Sequence, residues 1–198
     1  MSRMREMDDK KAKRELILDA AVRVFSRRGY HEARMEEIAL EAGIGKGTIY
    51  EYFDSKLTLF QEVLGRSRDI YYNSLAIENE NSLSLREKIR LVFLSHIRFC
   101  QENKELTRVV FWDTEIMDEE LKAWSYEKRK EKERMLSEVI EKAMEAGEIR
   151  GINPYALTLV ITGALGALWL PIVLEEWSGD AESLAGELTD IIFEGIKG

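Results

Sequence analysis

Residues 35–53, MEEIALEAGIGKGTIYEYF, constrain the fold more than any other part of the chain. Ala39, Gly43 and Ile49 have the spacing of a helix-turn-helix. The small residue lets the two helices pack closely. The glycine allows a positive φ at the turn, and the branched residue anchors the second helix in a core. This stretch predicts a compact pair of helices rather than a strand or a long single helix.

The second helix of this pair, about residues 46–52, is expected to turn polar and aromatic side chains outward. Such side chains donate to phosphate oxygens or reach base edges in the major groove. We expect Tyr50 mainly at phosphates and Lys46 and Thr48 at or near base edges, with Tyr52 also on the outer face. The motif therefore indicates a DNA-binding element.

The same region resembles a known family. The run GKGTIYEYFDSK, preceded by a helix ending in FSRRGY and by MEEIA, is similar to the DNA-binding domain of TetR-type repressors over roughly residues 11–60. Arg34 stands where the family usually has a Thr, and Gly45 where a Ser often caps the recognition helix. Glycine is an accepted N-cap, and Arg34 can reach a phosphate directly. Lys56, at the end of the run, is expected at phosphates as well.

The charge of the chain is unevenly distributed. Its 198 residues carry a formal charge of −8, but the first 60 hold twelve Lys and Arg against eleven Asp and Glu, so the acidity belongs to the remainder. A length of this order suits one or two domains. The single cysteine, Cys100, and the charged N-terminus fit a protein of the reducing cytoplasm without a secretory leader.

Apolar residues recur at helical spacing along most of the chain. The clearest faces are those of Ile17, Ala20, Ala21, Val24 and Phe25 and of Leu85, Ile89, Val92, Phe93, Ile97 and Cys100. Gly29 is placed to end the first helix, and Asp54-Ser55 offers an N-cap for the fourth. We predict an all-α fold of about nine helices, with a three-helix helix-turn-helix domain over residues 1–56 and a helical bundle for ligand binding and dimerisation over residues 57–198. The predicted helices cover residues 11–28, 35–42 and 46–52, one after Asp54 and Ser55, one from Leu85, one near 105–114, and 118–146, 154–174 and 181–197.

Two segments allow alternative interpretations. Residues 127–134 alternate charges of both signs, which favours a solvated helix face with i,i+4 pairs. Residues 155–174 contain no charge and have the length of a membrane span. Because no Lys or Arg cluster flanks them, and Glu175 and Glu176 follow directly, we interpret them as a helix buried between other helices, with no membrane contact.

The sequence carries no convincing catalytic or metal-binding pattern. Residues 43–48, GIGKGT, superficially suggest a phosphate loop, but Leu40 and Gly47 stand where a Walker loop needs Gly and Ser or Thr. His31 and His96 have no second ligand at helical spacing. We expect no enzyme activity, no metal and no cofactor.

A helix-turn-helix regulator gains affinity by dimerising, so that two recognition helices enter successive major grooves. The last two predicted helices are the candidate interface of a homodimer, a two-fold arrangement that the resemblance also implies. The residues chosen for it are small or apolar: Gly163, Ala167, Leu184, Leu188 and Ile191.

The resemblance further implies that a ligand in the C-terminal bundle favours a spacing of the DNA-binding domains that no longer matches a palindromic operator. Seven apolar or aromatic residues are the candidate ligand contacts: Phe93, Ile97, Phe111, Trp112, Trp124, Tyr155 and Trp169. Because few charges lie among them, we expect a small effector that is apolar or carries an acyl chain.

Two other classes of protein remain open from the sequence. One is a DNA-binding activator or architectural protein without a ligand, which would lack an internal cavity. The other is a helical bundle that binds or converts a small molecule without DNA, which would show no salt-dependent DNA binding.

Overall fold

The computed structural model describes residues 2–75, 82–111 and 119–195. Within these ranges it contains nine α-helices and no strand, which confirms the all-α prediction. The helices are α1 (Ser2–Glu32), α2 (Met35–Glu41), α3 (Lys46–Tyr50), α4 (Lys56–Ser74), α5 (Leu85–Glu102), α6 (Lys104–Phe111), α7 (Glu119–Glu145), α8 (Pro154–Val173) and α9 (Ala181–Glu194).

The first helix is longer than its sequence pattern predicts. It begins at Ser2 instead of residue 11, and it continues past Gly29 to Glu32. Gly29 has a φ of 71°, so the residue expected to end the helix kinks it instead. Residues 7–13 are exposed and present no apolar face, and this is why the hydrophobic period alone placed the start too late.

The N-terminal core is built on the face of α1 that the sequence predicts. Ile17, Ala20, Ala21, Val24 and Phe25 are all buried there, and residues of α2 and α3 close over them. The first half of α4 completes the same core through Leu59, Phe60, Val63 and Leu64, together with Val109 of α6. The division between residues 56 and 57 stays a prediction, and the packing joins the start of α4 to the N-terminal helices.

Helix α4 connects the two halves of the molecule. The Ser55 side chain accepts a hydrogen bond from the Thr58 amide at 3.0 Å and caps the helix, as the sequence predicts. Arg66 of α4 pairs with Asp19 and Glu15 of α1 at 2.9 and 3.2 Å, and Arg14 of α1 pairs with Glu62. These contacts fasten α4 to the N-terminal helices, while its second half enters the C-terminal bundle.

The C-terminal bundle is organised around α5. Its predicted apolar face, from Leu85 through Ile89, Phe93 and Ile97 to Cys100, is buried against α8 and α9. Ser84 and Glu87 form a capping box at its start. This helix therefore forms the centre of the bundle, and α4, α6 and α7 lie around it.

Residues 155–174 form a helix, as predicted, and this helix is only partly buried within its own chain. Only 22% of the most apolar 18-residue stretch of α8 is buried within the chain. Among the described residues, α8 is the one helix that is long and apolar enough to cross a membrane, by length and composition. One side of α8 packs on α5, α6 and α7, whereas the opposite side faces outward. Absence of charge led to the prediction of burial, but burial within one chain requires neighbours on both sides.

Candidate functional site

The helix-turn-helix forms as its spacing predicts. Ile38, Ala39 and Ile49 have no more than 1% of their surface exposed, so the two helices pack closely. Gly43 has a φ of 69°, and its amide donates to the Leu40 carbonyl at 3.1 Å, which closes the end of α2. The Ile44 amide donates to the Ala39 carbonyl at 2.9 Å. The turn is thus fixed by backbone hydrogen bonds, and α3 is held at a defined angle.

The outer side of α3 offers a short polar surface. Lys46 and Tyr50 are exposed and Thr48 is partly exposed. The Lys46 ammonium is 2.6 Å from the Glu36 carboxylate of α2, and this hydrogen bond raises the pKa of Lys46 and lowers that of Glu36. Because the pair lies in solvent, a DNA phosphate can compete for the ammonium. Arg34 is exposed and is the N-cap residue of α2, directly before that helix begins.

Tyr52 does not extend the exposed surface of α3. The helix ends at Tyr50, two residues earlier than expected, and the following turn carries Phe53 into the core with only 1% of its surface exposed. Tyr52 is half-buried against the same core. The expectation that Tyr52 lies on the outer face is therefore wrong, because the helical period stops before that position.

Lys56 has an internal role that the sequence does not reveal. Its ammonium donates to the carbonyls of His31 and Ala33, both at 3.0 Å, and lies 4.7 Å from the centre of the Tyr30 ring. Burial lowers the pKa of Lys56. These contacts hold the corner between α1 and α2 and leave one of the three ammonium hydrogens for a phosphate.

A cavity of about 1080 Å³ lies in the C-terminal bundle, lined by residues of α4, α5, α6, α7 and α8. Part of its wall is aliphatic and includes Ile89, Val92, Leu136, Val139 and Leu165. Phe111 of α6 and Trp169 of α8 stack in its wall, with ring planes 17° apart and centroids 6.2 Å apart. A volume of this size accommodates a ligand with a substantial apolar part.

The structure brings only some of the predicted ligand contacts to this cavity. Phe111 and Trp169 line it, whereas Phe93 and Ile97 are completely buried in the core of the bundle. Tyr155 is 57% exposed at the start of α8, away from the cavity wall. Trp112 lies outside the described residues, as does the side chain of Trp124. Aromatic composition indicated the right helices, but it could not separate wall residues from core residues.

Charged residues of α7 were missed by the sequence interpretation. Arg129, Lys132 and Glu133 lie within the run that was interpreted as a solvated face, and all three line the cavity. Tyr71, Tyr72 and Arg68 of α4 also line it, as do Lys88 of α5 and Lys142 of α7. The predicted solvated face is present, since Arg129, Lys130 and Arg134 are exposed and Arg129 pairs with Glu133 in the i,i+4 arrangement. The sequence did not reveal that this face also borders a cavity. The expectation that few charges surround the ligand is corrected.

A buried polar contact joins the cavity wall to the core. The Tyr71 hydroxyl lies 2.9 Å from Nδ1 of His96, and the Cys100 thiol lies 3.6 Å from Nε2. His96 also hydrogen-bonds the backbone of Leu165. Burial is the main cause that lowers the pKa of His96 to about 4, and it raises the pKa of Cys100 to about 12. At neutral pH both groups are therefore uncharged. The described residues contain no cluster of His, Cys, Asp and Glu suited to a metal ion.

The outward side of α8 is a continuous apolar stripe. Tyr155, Leu159, Val160, Leu170 and Leu174 are exposed along it, and Gly163 and Ala167 lie between them. In the described part of the chain, apart from the neighbouring turns of α8 itself, no atom lies within 4 Å of the position where a Gly163 side chain would begin. On α9, Ile191 is 53% exposed, whereas Leu184 and Leu188 are half-buried against the core of their own chain. Apolar surface of this extent on a soluble protein is typical of an interface.

Comparison with known proteins agrees with this architecture. Residues 17–63 match the family described as bacterial regulatory proteins, tetR family, and residues 82–170 match a tetracyclin repressor-like C-terminal domain. The fatty acid metabolism regulator protein of Bacillus subtilis is 26% identical over 195 residues, covering 96% of this chain and 98% of that protein. The transcriptional activator FasR of Mycolicibacterium smegmatis is 31% identical, but over 56% of this chain and 51% of that protein.

Two solved structures share the fold. FadR from Bacillus subtilis, in complex with stearoyl-CoA, has a TM-score of 0.79 at 23% identity, covering 92% of this chain and 99% of that one. AibR, in complex with isovaleryl coenzyme A and operator DNA, has a TM-score of 0.77 at 18% identity, covering 91% and 98%. At these identities the likeness shows the fold alone.

A helix-turn-helix joined to a helical bundle with an internal cavity defines a ligand-responsive, DNA-binding transcriptional regulator. The chain belongs to the tetR family of bacterial regulatory proteins, with both the DNA-binding and the C-terminal domain present.

Proposed function

We propose that the protein is a cytoplasmic repressor that binds a palindromic operator as a homodimer and leaves it when an effector with an acyl chain enters the cavity. The observation that carries this proposal is the cavity itself, whose wall is partly aliphatic and aromatic. An architectural or activating protein without a ligand has no use for such a space, so the cavity counts against that alternative. The protein acts through binding and not as an enzyme.

The relatives support an acyl-chain effector. The B. subtilis relative that spans nearly the whole chain is a regulator of fatty acid metabolism, and two proteins of the same fold hold acyl derivatives of coenzyme A. The basic residues Lys88, Arg129 and Lys142 at the cavity disfavour a cationic effector. We therefore expect acyl-CoAs or fatty acids to be the effectors.

Effector binding is expected to act through α4. This helix lines the cavity through Arg68, Tyr71 and Tyr72, and it is fastened to α1 through Arg66. A ligand that favours one position of α4 changes the equilibrium between arrangements that do and do not fit the operator. The affinity for DNA then falls without any change in the recognition helix.

The DNA contacts are assigned to Lys46, Thr48 and Tyr50 of α3, with Arg34 and the remaining N–H of Lys56 at phosphates. Tyr50→Phe should weaken binding to every sequence alike, because it removes a phosphate donor. Thr48→Ala should instead change the preferred sequence. Arg150→Ala, which removes an exposed cation of the C-terminal half, is the matched control and should leave DNA binding intact.

The experiment selects DNA from a random library with the purified full-length protein, and then measures the affinity of each variant for the selected site over a range of salt concentrations. Adding palmitoyl-CoA or palmitate to the complex should release the DNA. If Tyr50→Phe and Thr48→Ala both bind the selected site like the wild type, the assignment of α3 is wrong. If neither acyl probe releases the DNA, the proposed effector class is wrong.

A further inference from the structure

One end of the cavity gathers charged side chains around a tyrosine. Arg68, Arg129, Lys132 and Glu133 all line the cavity at the side where α4 meets α7. The Lys132 ammonium lies 4.7 Å from the centre of the Tyr72 ring, and the charges of Arg68, Arg129 and Glu133 all influence the pKa of the Tyr72 hydroxyl. These groups are therefore neighbours, and three positive charges meet one negative charge.

The positive charges of this cluster lie close together and are unequally buried. Burial is the main cause that lowers the pKa of Arg68, with the charge of Arg129 as a further cause. Arg129 is itself largely exposed and pairs with Glu133 at 3.4 Å. An anion beside such a cluster stabilises the charged form of each basic group.

We propose that Arg68, Arg129 and Lys132 form an anion-binding subsite at the α4–α7 end of the cavity, which takes the phosphate or carboxylate group of an amphiphilic effector. The proposal rests on the acyl-chain function above and adds where the charged head of the effector binds. A guanidinium group holds two oxygens of such an anion with parallel N–H donors. The apolar part of the effector then lies along the aliphatic part of the wall, towards Phe111 and Trp169.

The opposite end of the cavity is a weaker candidate. Lys88 and Lys142 line it together with Glu138, and Lys142 and Glu138 are exposed to water. Lys142 follows Arg129 by thirteen residues on α7, which corresponds to about 20 Å along the helix axis. Exposed charges in water bind an anion less strongly than a partly buried cluster does. The two ends can therefore be tested separately by substitutions on one helix.

Three probes with the same alkyl chain test the subsite in the full-length protein: palmitoyl-CoA, palmitate and palmityl alcohol. Binding is followed by tryptophan fluorescence, since Trp169 is in the cavity wall. The wild type should bind the better charged probe about tenfold or more tightly than the alcohol, as expected for charge-assisted hydrogen bonds. A preference for palmitoyl-CoA assigns the subsite to phosphate, and a preference for palmitate assigns it to carboxylate.

The variants are Arg129→Gln and Arg68→Gln, with Lys130→Gln as the matched control on α7. The Arg129 side chain is 63% exposed, so its substitution leaves the fold intact even if the Arg68 variant is destabilised. Either arginine variant should lose the preference for a charged probe, while binding of palmityl alcohol persists. Lys130 is exposed and outside the cavity wall, so its variant should keep the preference.

Three results would overturn the subsite. Equal affinity of the wild type for all three probes would show that the charge is not recognised, while the acyl-chain function would stand. A larger loss in Lys142→Gln than in Arg129→Gln would place the charged head at the other end of the cavity. If none of the probes binds, the acyl-chain function falls together with the subsite.

Discussion

At the scale of single residues, His96 links two helices of the C-terminal bundle. It has no exposed surface, and it lies between the Tyr71 hydroxyl of α4 and the Leu165 backbone of α8. Both of these partners line the cavity. With Nδ1 facing the hydroxyl, the other ring nitrogen is the one placed to donate to the Leu165 carbonyl. One neutral imidazole therefore holds two walls of the cavity in register.

The low pKa of His96 makes the stability of the protein depend on pH. Burial lowers this pKa from 6.5 to about 4, so between these values the unfolded chain binds a proton that the folded chain does not. The free energy of unfolding should therefore fall as the pH falls from 6.5 through 4, by about 3 kcal/mol in full. Urea denaturation at pH 7, 6 and 5 measures this change.

The matched variant is His96→Gln, which keeps a polar group for Tyr71 but has no proton to bind in this range. Carboxylates remain largely ionised above pH 5, so the difference between the two proteins from pH 6.5 to 5 isolates the histidine. Parallel pH profiles for wild type and variant would rule out this role of His96.

Residue identity alone explains why some positions could be predicted and others could not. Ala39, Gly43 and Ile49 are predictable because a tight turn between packed helices admits few residue types. Lys56 is different, because a lysine after a recognition helix is equally suited to phosphates and to the carbonyls of His31 and Ala33. The position of the end of α1 decides which of these two roles Lys56 takes, and the kink at Gly29 sets that position.

At the scale of helices, the apolar period predicted which helices form, and in what order, better than it predicted what each helix face contacts. The α5 face was identified residue by residue, because one side of that helix is fully enclosed. On α7 the same reasoning correctly predicted a solvated face with an i,i+4 pair for residues 127–134, but it did not show that Arg129 and Lys132 also line a cavity. A period reports which side of a helix is polar, but not whether that side faces solvent or a binding site.

The turn between α2 and α3 gives a test at this scale. Gly43 has a positive φ, whereas Gly47 lies in the helical conformation of α3 with nothing within 4 Å of an added Cβ. Gly43→Ala should lower the free energy of unfolding by about 1–2 kcal/mol, because a side chain is strained in the left-handed region. Gly47→Ala should raise it by up to about 1 kcal/mol through helix propensity.

Chemical denaturation of both glycine variants beside the wild type measures these opposite effects. Because both residues are exposed and four positions apart, a difference in burial cannot explain a difference in sign. If Gly43→Ala were as stable as Gly47→Ala, the turn would not require its left-handed residue.

At the scale of the whole molecule, α8 is an apolar helix that its own chain covers on one side only. Residues 155–174 are too apolar to face water, but none of the other described helices covers their outer side. The small residues Gly163 and Ala167 at the centre of this stripe permit close approach of another helix. We propose that a second copy of the chain, related by two-fold symmetry, brings the same stripe to its partner, so that burial is completed between chains. The predicted interface residues Leu184 and Leu188 contribute mainly to the core of their own chain.

The homodimer should therefore depend most on α8. Val160 is 56% exposed within the stripe, and Val160→Glu should place an unpaired charge in the interface, weakening association by several kcal/mol. Leu16→Glu on α1 is the matched control, since Leu16 is 54% exposed and lies in the DNA-binding half. Sedimentation equilibrium at micromolar concentration should show dimers for the wild type and the control and monomers for Val160→Glu. Unchanged association of Val160→Glu would move the interface away from α8, and operator binding by that variant would then remain intact.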